Sequence, residues 1–313
     1  MLNTPVAFMI FRRPETTRKV FEQIAAARPQ RLFIVADGPR SAQEAERCQA
    51  ARAVVERIDW PCEVHRNYAD ENMGLRKRIP SGLDWVFSHV ERAIILEDDC
   101  LPHPTFFRFC EELLEYYADD TRVVHITGTN FGFQRTSSNA SDSYYFTRYT
   151  HVWGWATWKR AWAQYDADME AWHIPEKRRQ ILSRFPWWMR SYWNNVYEAV
   201  DRRQIDTWDY QWLLTCLLHD GLTATPFENL VSHIGVGEGA VHYAKTSTDD
   251  GVSFRALEPV QFPLKHPEVK LDRAGQAYMN RRTWLNASQS LPMRVYRKTS
   301  RLIGRLQKRG ERV

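Results

Sequence analysis

Apolar runs alternate with longer amphipathic stretches along the first 128 residues of the chain. Five runs are short enough to be strands, at Val6–Phe11, Leu32–Ala36, Cys62–Arg66, Ile94–Leu96 and Val123–Thr127. The stretches between them repeat their apolar residues with helical spacing, at Glu15–Ala27, Ala42–Ile58, Leu83–Val90 and Thr105–Tyr117. This β-α-β-α order predicts a mostly parallel sheet with right-handed crossovers.

The pattern changes after Gly128. Residues 131–143 are rich in Ser, Asn and Thr without apolar periodicity and predict a loop. Ten of the 13 Trp lie between Trp153 and Trp212, and the stretches 176–204 and 209–219 have helical spacing. A second, mostly helical and Trp-rich region is therefore expected to pack on the first. Residues 229–251 are rich in Gly and polar residues and predict a functional loop.

Length and composition exclude several classes of protein. A chain of 313 residues suggests one large domain or two coupled ones. No apolar stretch approaches the roughly 18 residues that a membrane span needs, and the first apolar run is too short for a signal peptide. The five Cys are odd in number and form no C-x-x-C pair, which favours reduced thiols in a cytoplasmic protein and argues against zinc.

The net charge of +5 is concentrated at one end of the chain. Residues 294–313 hold eight Lys or Arg and one Glu, a net charge of +7, while the other 293 residues sum to −2. This distribution argues against nucleic acid as a partner of the main body. The tail has the pattern of a short basic amphipathic helix, so either peripheral contact with an anionic membrane or a soluble terminus is compatible with it.

Three consecutive acids, Glu97, Asp98 and Asp99, follow the apolar run Ile94–Leu96 directly. In an open α/β sheet, ligands bind outside the carboxyl ends of the strands. Carboxylates at that position suit a divalent cation that carries a diphosphate. A solvated acidic turn is the alternative interpretation of the triplet.

The chain resembles inverting GT-A-type glycosyltransferases at several points in the same order. The strongest stretch is AIILEDDCLPHPTFFRFC, which is similar to the E-D-D-L-x-x-x-P-x-F-F motif of the N-acetylglucosaminyltransferase I family. The segments PVAFMIFRRPETTRKVFEQI, FIVADG, VWGWATW and DTWDYQW resemble further motifs of that family. The segment NLVSHIG resembles bacterial hemolytic-protein-like (family 2-like) glycosyltransferases. The resemblance covers roughly residues 5–245.

The resemblance implies a role for individual residues. Asp99 is expected to bind the metal, Mn²⁺ or Mg²⁺, and Asp209 is expected to be the catalytic base. A helix N-terminal acid is the alternative interpretation of Asp209. The remaining expected positions are donor-binding Arg12, Arg13, Asp37, Arg76, Lys77, Glu97, Asp98, His233 and His242, and acceptor-binding Trp153, Trp155 and Trp208.

Two positions depart from the family pattern. In the family's W-D-D-W motif, which DTWDYQW resembles, Tyr210 replaces the second Asp. In its P-E-x-S-R-T-x-x-F-G motif, whose place TATPFENLVSHIGVGEGAVH occupies, His233 replaces the Arg. His233 or His242 could touch the diphosphate or complete a metal shell, although a lone His is more often structural.

The sequence thus predicts an α/β protein of GT-A type (Rossmann-like nucleotide-diphospho-sugar transferase), with a mostly parallel sheet and a Trp-rich helical acceptor region. Residues 1–130 are expected to form the nucleotide-sugar half, 131–250 the acceptor half, and 251–313 a C-terminal extension. The expected activity is metal-dependent, inverting sugar transfer to a glycan or glycolipid in bacterial surface-polysaccharide synthesis. A sugar nucleotidyltransferase and a non-catalytic carbohydrate-binding protein are the alternatives. The first is disfavoured because Arg12-Arg13-Pro14-Glu15, without Gly, stands where such enzymes carry a Gly-rich loop.

Overall fold

The computed structural model describes residues 1–235 and 255–289. Its strands are β1 (Val6–Ile10), β2 (Arg31–Ala36), β3 (Glu63–Tyr68), β4 (Arg92–Glu97), β5 (Cys100–Pro102), β6 (Val123–Thr127), β7 (Tyr144–Thr147), β8 (Trp155–Trp158), β9 (Leu222–Pro226) and β10 (Val231–His233). Its α-helices are α1 (Pro14–Ala27), α2 (Ala42–Val54), α3 (Leu75–His89), α4 (Pro104–Tyr116), α5 (Lys159–Trp162), α6 (Pro175–Ser183), α7 (Trp187–Asp201), α8 (Asp209–Leu218) and α9 (Arg273–Gln289). A 3₁₀ turn spans Glu170–His173.

Eight of these strands form one sheet in the order β3-β2-β1-β4-β8-β6-β9-β7. The neighbours β3-β2, β2-β1, β1-β4 and β6-β9 are parallel, while β8 is antiparallel to both β4 and β6, and β7 is antiparallel to β9. The prediction of an α/β protein with a mostly parallel, Rossmann-like sheet is therefore confirmed. Strands from both predicted halves, on either side of residue 130, belong to this sheet.

Strand β1 is buried on both sides because helices cover both faces of the sheet. Val6, Phe8 and Ile10 pack against α1 and α4, whereas Ala7 and Met9 pack towards α3 and the Trp-rich region. A continuous apolar strand of this kind is typical of a sheet that is covered twice. The arrangement leaves the carboxyl ends of β1, β2 and β4 at one common edge.

The Trp-rich region is helical, as predicted, but its first helix differs from the expectation. The predicted helix 176–204 is two helices, α6 and α7, which are separated at Arg184–Pro186. Pro186 explains the break, because a proline disfavours helical backbone in the residue before it. The two helices pack with α8 around a second aromatic core that contains Trp172, Trp193 and Tyr197.

Three predictions fall partly or wholly outside the described residues. They concern His242, most of the loop 229–251, and the tail 294–313. Among residues 1–235 and 255–289, no helix combines the length and the apolar composition that crossing a bilayer requires.

Candidate active site

The acidic triplet lies at the common carboxyl edge of β1, β2 and β4. Glu97 ends β4, and Asp98 and Asp99 form the turn between β4 and β5. The Phe11 backbone N–H, directly after β1, donates to Asp98 Oδ2 at 3.0 Å. This bond ties the first acid of the turn to the neighbouring strand. Both acids of the turn are buried, with Asp98 7% and Asp99 8% exposed.

The two arginines after β1 point to different partners. Arg13 forms ion pairs with Asp99 Oδ2 and, at 3.5 Å, with Asp98 Oδ1. Arg12 instead pairs with Glu44 on α2. Arg13 therefore lies in the acidic site, whereas Arg12 stands at its border with α2. The sequence could not separate these two roles because both residues lie in the same short connection.

His233 reaches the triplet through a strand pair that the sequence did not predict. Strand β10 pairs antiparallel with β5 and aligns His233 with Cys100, and the Ile234 N–H donates to the Asp99 carbonyl at 2.7 Å. This register places His233 Nε2 3.3 Å from Asp99 Oδ2. Trp153 stacks at an angle on the His233 ring, with 4.8 Å between centroids.

Two glycines allow the backbone to pass close to Asp99 and to strand β10, which carries His233. A Cβ on Gly235 would lie 2.3 Å from Asp99 Oδ2, so a side chain there would displace the carboxylate. Gly154 has φ +63° and passes so close to Val231 of β10 that a Cβ would lie 2.6 Å from Val231 Cγ2. The backbone conformation and the lack of space both favour glycine at position 154.

Buried asparagines hold β10 in place. Asn229 Oδ1 accepts from the Asn130 N–H at 3.1 Å, and the Leu230 N–H donates to the Gly128 carbonyl at 2.8 Å. The sequence pattern placed Asn229 in the NLVSHIG segment but did not predict that its side chain holds β10. The signal that could have found it is an asparagine inside an otherwise apolar segment, because a buried amide must be hydrogen-bonded.

The three acids differ in their protonation. Burial and the charges of Asp99, Asp98 and Asp209 raise the pKa of Glu97 well above its ordinary value. Burial and the Asp99 charge raise the pKa of Asp98 to about 7. Burial also acts to raise the pKa of Asp99, but the hydrogen bonds and charges of His233 and Arg13 outweigh it and lower that pKa. Asp99 is thus the member of the triplet that is ionised most readily.

Asp209 belongs to the same site, although it is carried by a helix rather than by a strand end. It begins α8, accepts a hydrogen bond from the Thr207 hydroxyl, and lies close enough to Glu97 for its charge to raise the Glu97 pKa. The structure therefore brings together the predicted base and the predicted donor-binding acids, which are separated by more than 100 residues of sequence.

Asp37 follows the last residue of β2, and its carboxylate already accepts three hydrogen bonds from the protein. Its carboxylate accepts from the backbone N–H of Gly38 and of Met73 and from the Asn72 side chain, at 2.8–2.9 Å. Asp37 therefore holds the loop before α3 against the edge of the sheet. A contact with the nucleotide would have to come in addition to this function.

The basic cluster at the start of α3 is spread over different environments. Arg76 donates to the Val200 carbonyl of α7 at 2.9 Å, and Lys77 is exposed. Arg78 is buried and donates to the Asn67 side chain at 2.9 Å. Of the three, Arg76 connects the start of α3 to helix α7.

The three predicted acceptor tryptophans differ in their burial. Trp155 is fully buried and Trp208 is 2% exposed, and their rings stack on each other with centroids 5.7 Å apart. Their ring faces contact protein, so neither offers a surface to a sugar ring in this structure. Trp153 is half-buried and adjoins His233, and it is the one of the three that remains in a position for acceptor contact.

Asp99 and His233 are the residues of this site that could hold a divalent cation. In residues 1–235 and 255–289, no group of three or more His, Cys, Asp or Glu is arranged to hold a metal alone. Asp99 and His233 nevertheless present a carboxylate and an imidazole side by side. Mg²⁺ is usually bound through one or two carboxylates plus substrate phosphates and water, and carboxylates also suit Mn²⁺. The donor set therefore fits such a cation, with the remaining ligands supplied by phosphate and water.

Comparison with known proteins identifies partial structural similarities. UDP-glucose pyrophosphorylase complexed with UDP-glucose aligns with 46% of this chain and 61% of that chain, at 12% identity and a TM-score of 0.24. S. aureus TarS (residues 1–349) aligns with 74% of this chain and 59% of that chain, at 7% identity and a TM-score of 0.40. This chain thus spans about 60% of each matched chain. No protein-family profile and no curated protein matches the sequence.

Proposed function

We propose that this protein is a glycosyltransferase of GT-A type that uses a nucleoside-diphosphate sugar and inverts its anomeric centre. The observation that carries the proposal is the convergence of the acidic triplet, Arg13, His233 and Asp209 at the carboxyl edge of a parallel sheet. The edge combines cations and carboxylates for a diphosphate with a separate carboxylate for proton transfer. A purely structural acidic turn would need neither His233 nor Asp209 beside it.

The donor's diphosphate would lie against Arg13, Asp99 and His233. A divalent cation held by Asp99 and His233 would supply Lewis-acid stabilisation to the departing diphosphate. Arg13, which is partly buried and paired with the acids, is positioned to add positive charge at the same point. Glu97 and Asp98 would face the ribose or the transferred sugar, and their raised pKa values favour protonated carboxyls that can donate hydrogen bonds.

Asp209 would remove the proton from the acceptor hydroxyl as that hydroxyl attacks the sugar. A sugar bound between Asp209 and the strand-end turn would then be approached from the side away from the diphosphate. A single displacement of this kind inverts the anomeric carbon. Only hydrogen-bond reach between the carboxylate and the hydroxyl is required.

The acceptor side of the proposal rests on Trp153. An indole beside the cation site could stack on a sugar ring, since an aromatic face offers a flat apolar surface of the right size. A glycan or glycolipid acceptor in bacterial surface-polysaccharide synthesis remains the proposed substrate class. The tail 294–313, which lies outside the described residues, remains the proposed peripheral membrane contact of a cytoplasmic enzyme.

Ligand-induced stabilisation tests the donor and the cation together. Unfolding temperatures would be measured with UDP, GDP, CDP or ADP, each with and without Mn²⁺. A ligand at about 100 times its Kd should add about 2.7 kcal/mol to the free energy of unfolding. We expect one nucleotide to stabilise the protein strongly and only when Mn²⁺ is present.

The variant Asp99→Asn should lose this Mn²⁺-dependent shift. Glu22→Gln, a change at an exposed acid on α1, is the matched control and should retain it. Stabilisation that is equal with Mn²⁺ and with EDTA would refute the cation assignment. Formation of a nucleotide sugar from a nucleoside triphosphate and a sugar 1-phosphate would instead identify a nucleotidyltransferase.

A further inference from the structure

Trp187, the first residue of α7, presents its indole to solvent. Its side chain is 80% exposed, whereas the adjacent Trp188 is half-buried against Trp284 of α9. Arg190 lies three residues further along α7, on the same side of the helix, and is also exposed. We call the exposed side chains of Trp187 and Arg190 the Trp187 face.

The sequence around the Trp187 face is basic and lacks acids. Residues 177–197 contain five Lys or Arg and no Asp or Glu. Three of the five cations are paired with acids outside this stretch, since Arg178 pairs with Glu198, Arg179 with Glu176 and Arg184 with Asp220. Arg190 donates to the Phe185 carbonyl and keeps its charge at the surface.

The C-terminal helix brings a second acid-free segment to the same place. Trp284 of α9 contacts Trp188 and Tyr192 of α7, with ring centroids 5.7 and 6.3 Å away. Helix α9 ends five residues later, about 8 Å along its axis. Residues 273–310 contain ten Lys or Arg and no acid. The described part of this segment, helix α9, therefore packs on the helix that carries the Trp187 face.

We propose that the Trp187 face docks on the surface of a bilayer that contains anionic phospholipids. Indole rings favour the membrane–water interface, and basic side chains are attracted to anionic headgroups. A shallow contact by one aromatic residue and a basic helical surface is the arrangement of interfacial, rather than spanning, proteins.

The position of the face relative to the candidate active site supports a membrane over a sugar as its ligand. Val200, near the other end of α7, accepts a hydrogen bond from Arg76 at the edge of the donor site. Thirteen residues of helix separate it from Trp187, which is about 20 Å. Trp187 therefore lies at the end of α7 that is remote from this contact. It could anchor the enzyme while a lipid-linked acceptor extends to Asp209.

Co-sedimentation of the full chain with vesicles tests this proposal. Vesicles of phosphatidylcholine alone would be compared with vesicles containing phosphatidylglycerol. We expect binding only to the anionic vesicles and its loss at high salt. Arg190→Glu should weaken partitioning about thirtyfold, because each basic charge near an anionic surface contributes about fivefold. Trp187→Ser should also weaken it, and its circular dichroism should match that of the parent.

Two exposed positions elsewhere provide matched controls. Tyr116→Ser removes an aromatic side chain that is 58% exposed on α4, and Arg47→Glu reverses a charge on α2. Both should partition like the parent. Nucleoside-diphosphate binding should be unchanged in Trp187→Ser, so that failure of the membrane contact is distinguishable from failure of the proposed transfer reaction.

Two results would overturn the proposal. One is equal vesicle partitioning by Trp187→Ser and the parent. The other is weaker binding of an oligosaccharide by Trp187→Ser without any change in partitioning, which would identify the Trp187 face as a glycan-stacking surface.

Discussion

Replacing Asp98 with asparagine should stabilise the ligand-free protein at pH 8 and have a much smaller effect at pH 5. Burial and the Asp99 charge raise the Asp98 pKa from 3.8 to about 7. Between these two values the folded state binds more protons than the unfolded state, so the free energy of unfolding falls as the pH rises. Since one pKa unit corresponds to about 1.4 kcal/mol, the loss between pH 5 and pH 8 should be roughly 2–3 kcal/mol.

Urea unfolding of the parent and of Asp98→Asn at the two pH values measures this difference. Asparagine keeps the shape of the side chain and the acceptor for the Phe11 N–H, so the comparison isolates the charge. Asp120→Asn is the control. Arg122 lowers the Asp120 pKa, so the Asp120 carboxylate stabilises the fold above its unfolded pKa. Its replacement should therefore destabilise the protein at both pH values. An equal pH slope in the parent and in Asp98→Asn would refute the reasoning.

The remaining predictions concern catalysis and the acceptor. Asp209→Asn should retain Mn²⁺-dependent nucleotide binding but lower kcat by about 10²–10⁴, the range that general base catalysis supplies; near-normal turnover would exclude Asp209 as the base. Trp153→Leu should raise the KM for the acceptor and leave the Kd for the nucleoside diphosphate unchanged, measured by initial rates and calorimetry. The same KM in Trp153→Leu and the parent would remove Trp153 from the acceptor site.

Much of the fold could be predicted because strands and helices leave local signals. The strand Val123–Thr127 was predicted with its observed bounds, and β1 and α1 were predicted to within one residue. Helix α3 was predicted too short, since it begins at Leu75 and its first turns carry three basic residues and Pro80. Those residues weaken the apolar periodicity although the backbone is helical.

The same local sequence patterns did not predict the antiparallel strands of the sheet. Strand β8 inserts between β4 and β6 and runs opposite to both. Its sequence, WATW, is only four residues long. Strand direction and order depend on which neighbours the chain meets in three dimensions, and four residues carry too little pattern to specify that.

Burial decided which aromatic residues are available to a ligand. Trp155, Trp208 and Trp153 flank matched motifs equally in the sequence, yet only Trp153 adjoins His233. The first two fill the core beneath the sheet edge. A tryptophan serves packing and stacking with the same ring, so that composition cannot distinguish the two uses.

The sequence by itself determined that acids follow a buried strand, and therefore that a polar site lies at the carboxyl edge of a parallel sheet. Only the tertiary structure decided which residues belong to this site. It turned Arg13 towards Asp99 and Arg12 away, and it brought His233 to the acids by pairing β10 with β5. The physical reason is range. Strand burial is encoded in neighbouring residues, whereas a side chain's partners depend on contacts between distant segments, such as Arg13 with Asp99, 86 residues apart, and β10 with β5, more than 100 residues apart.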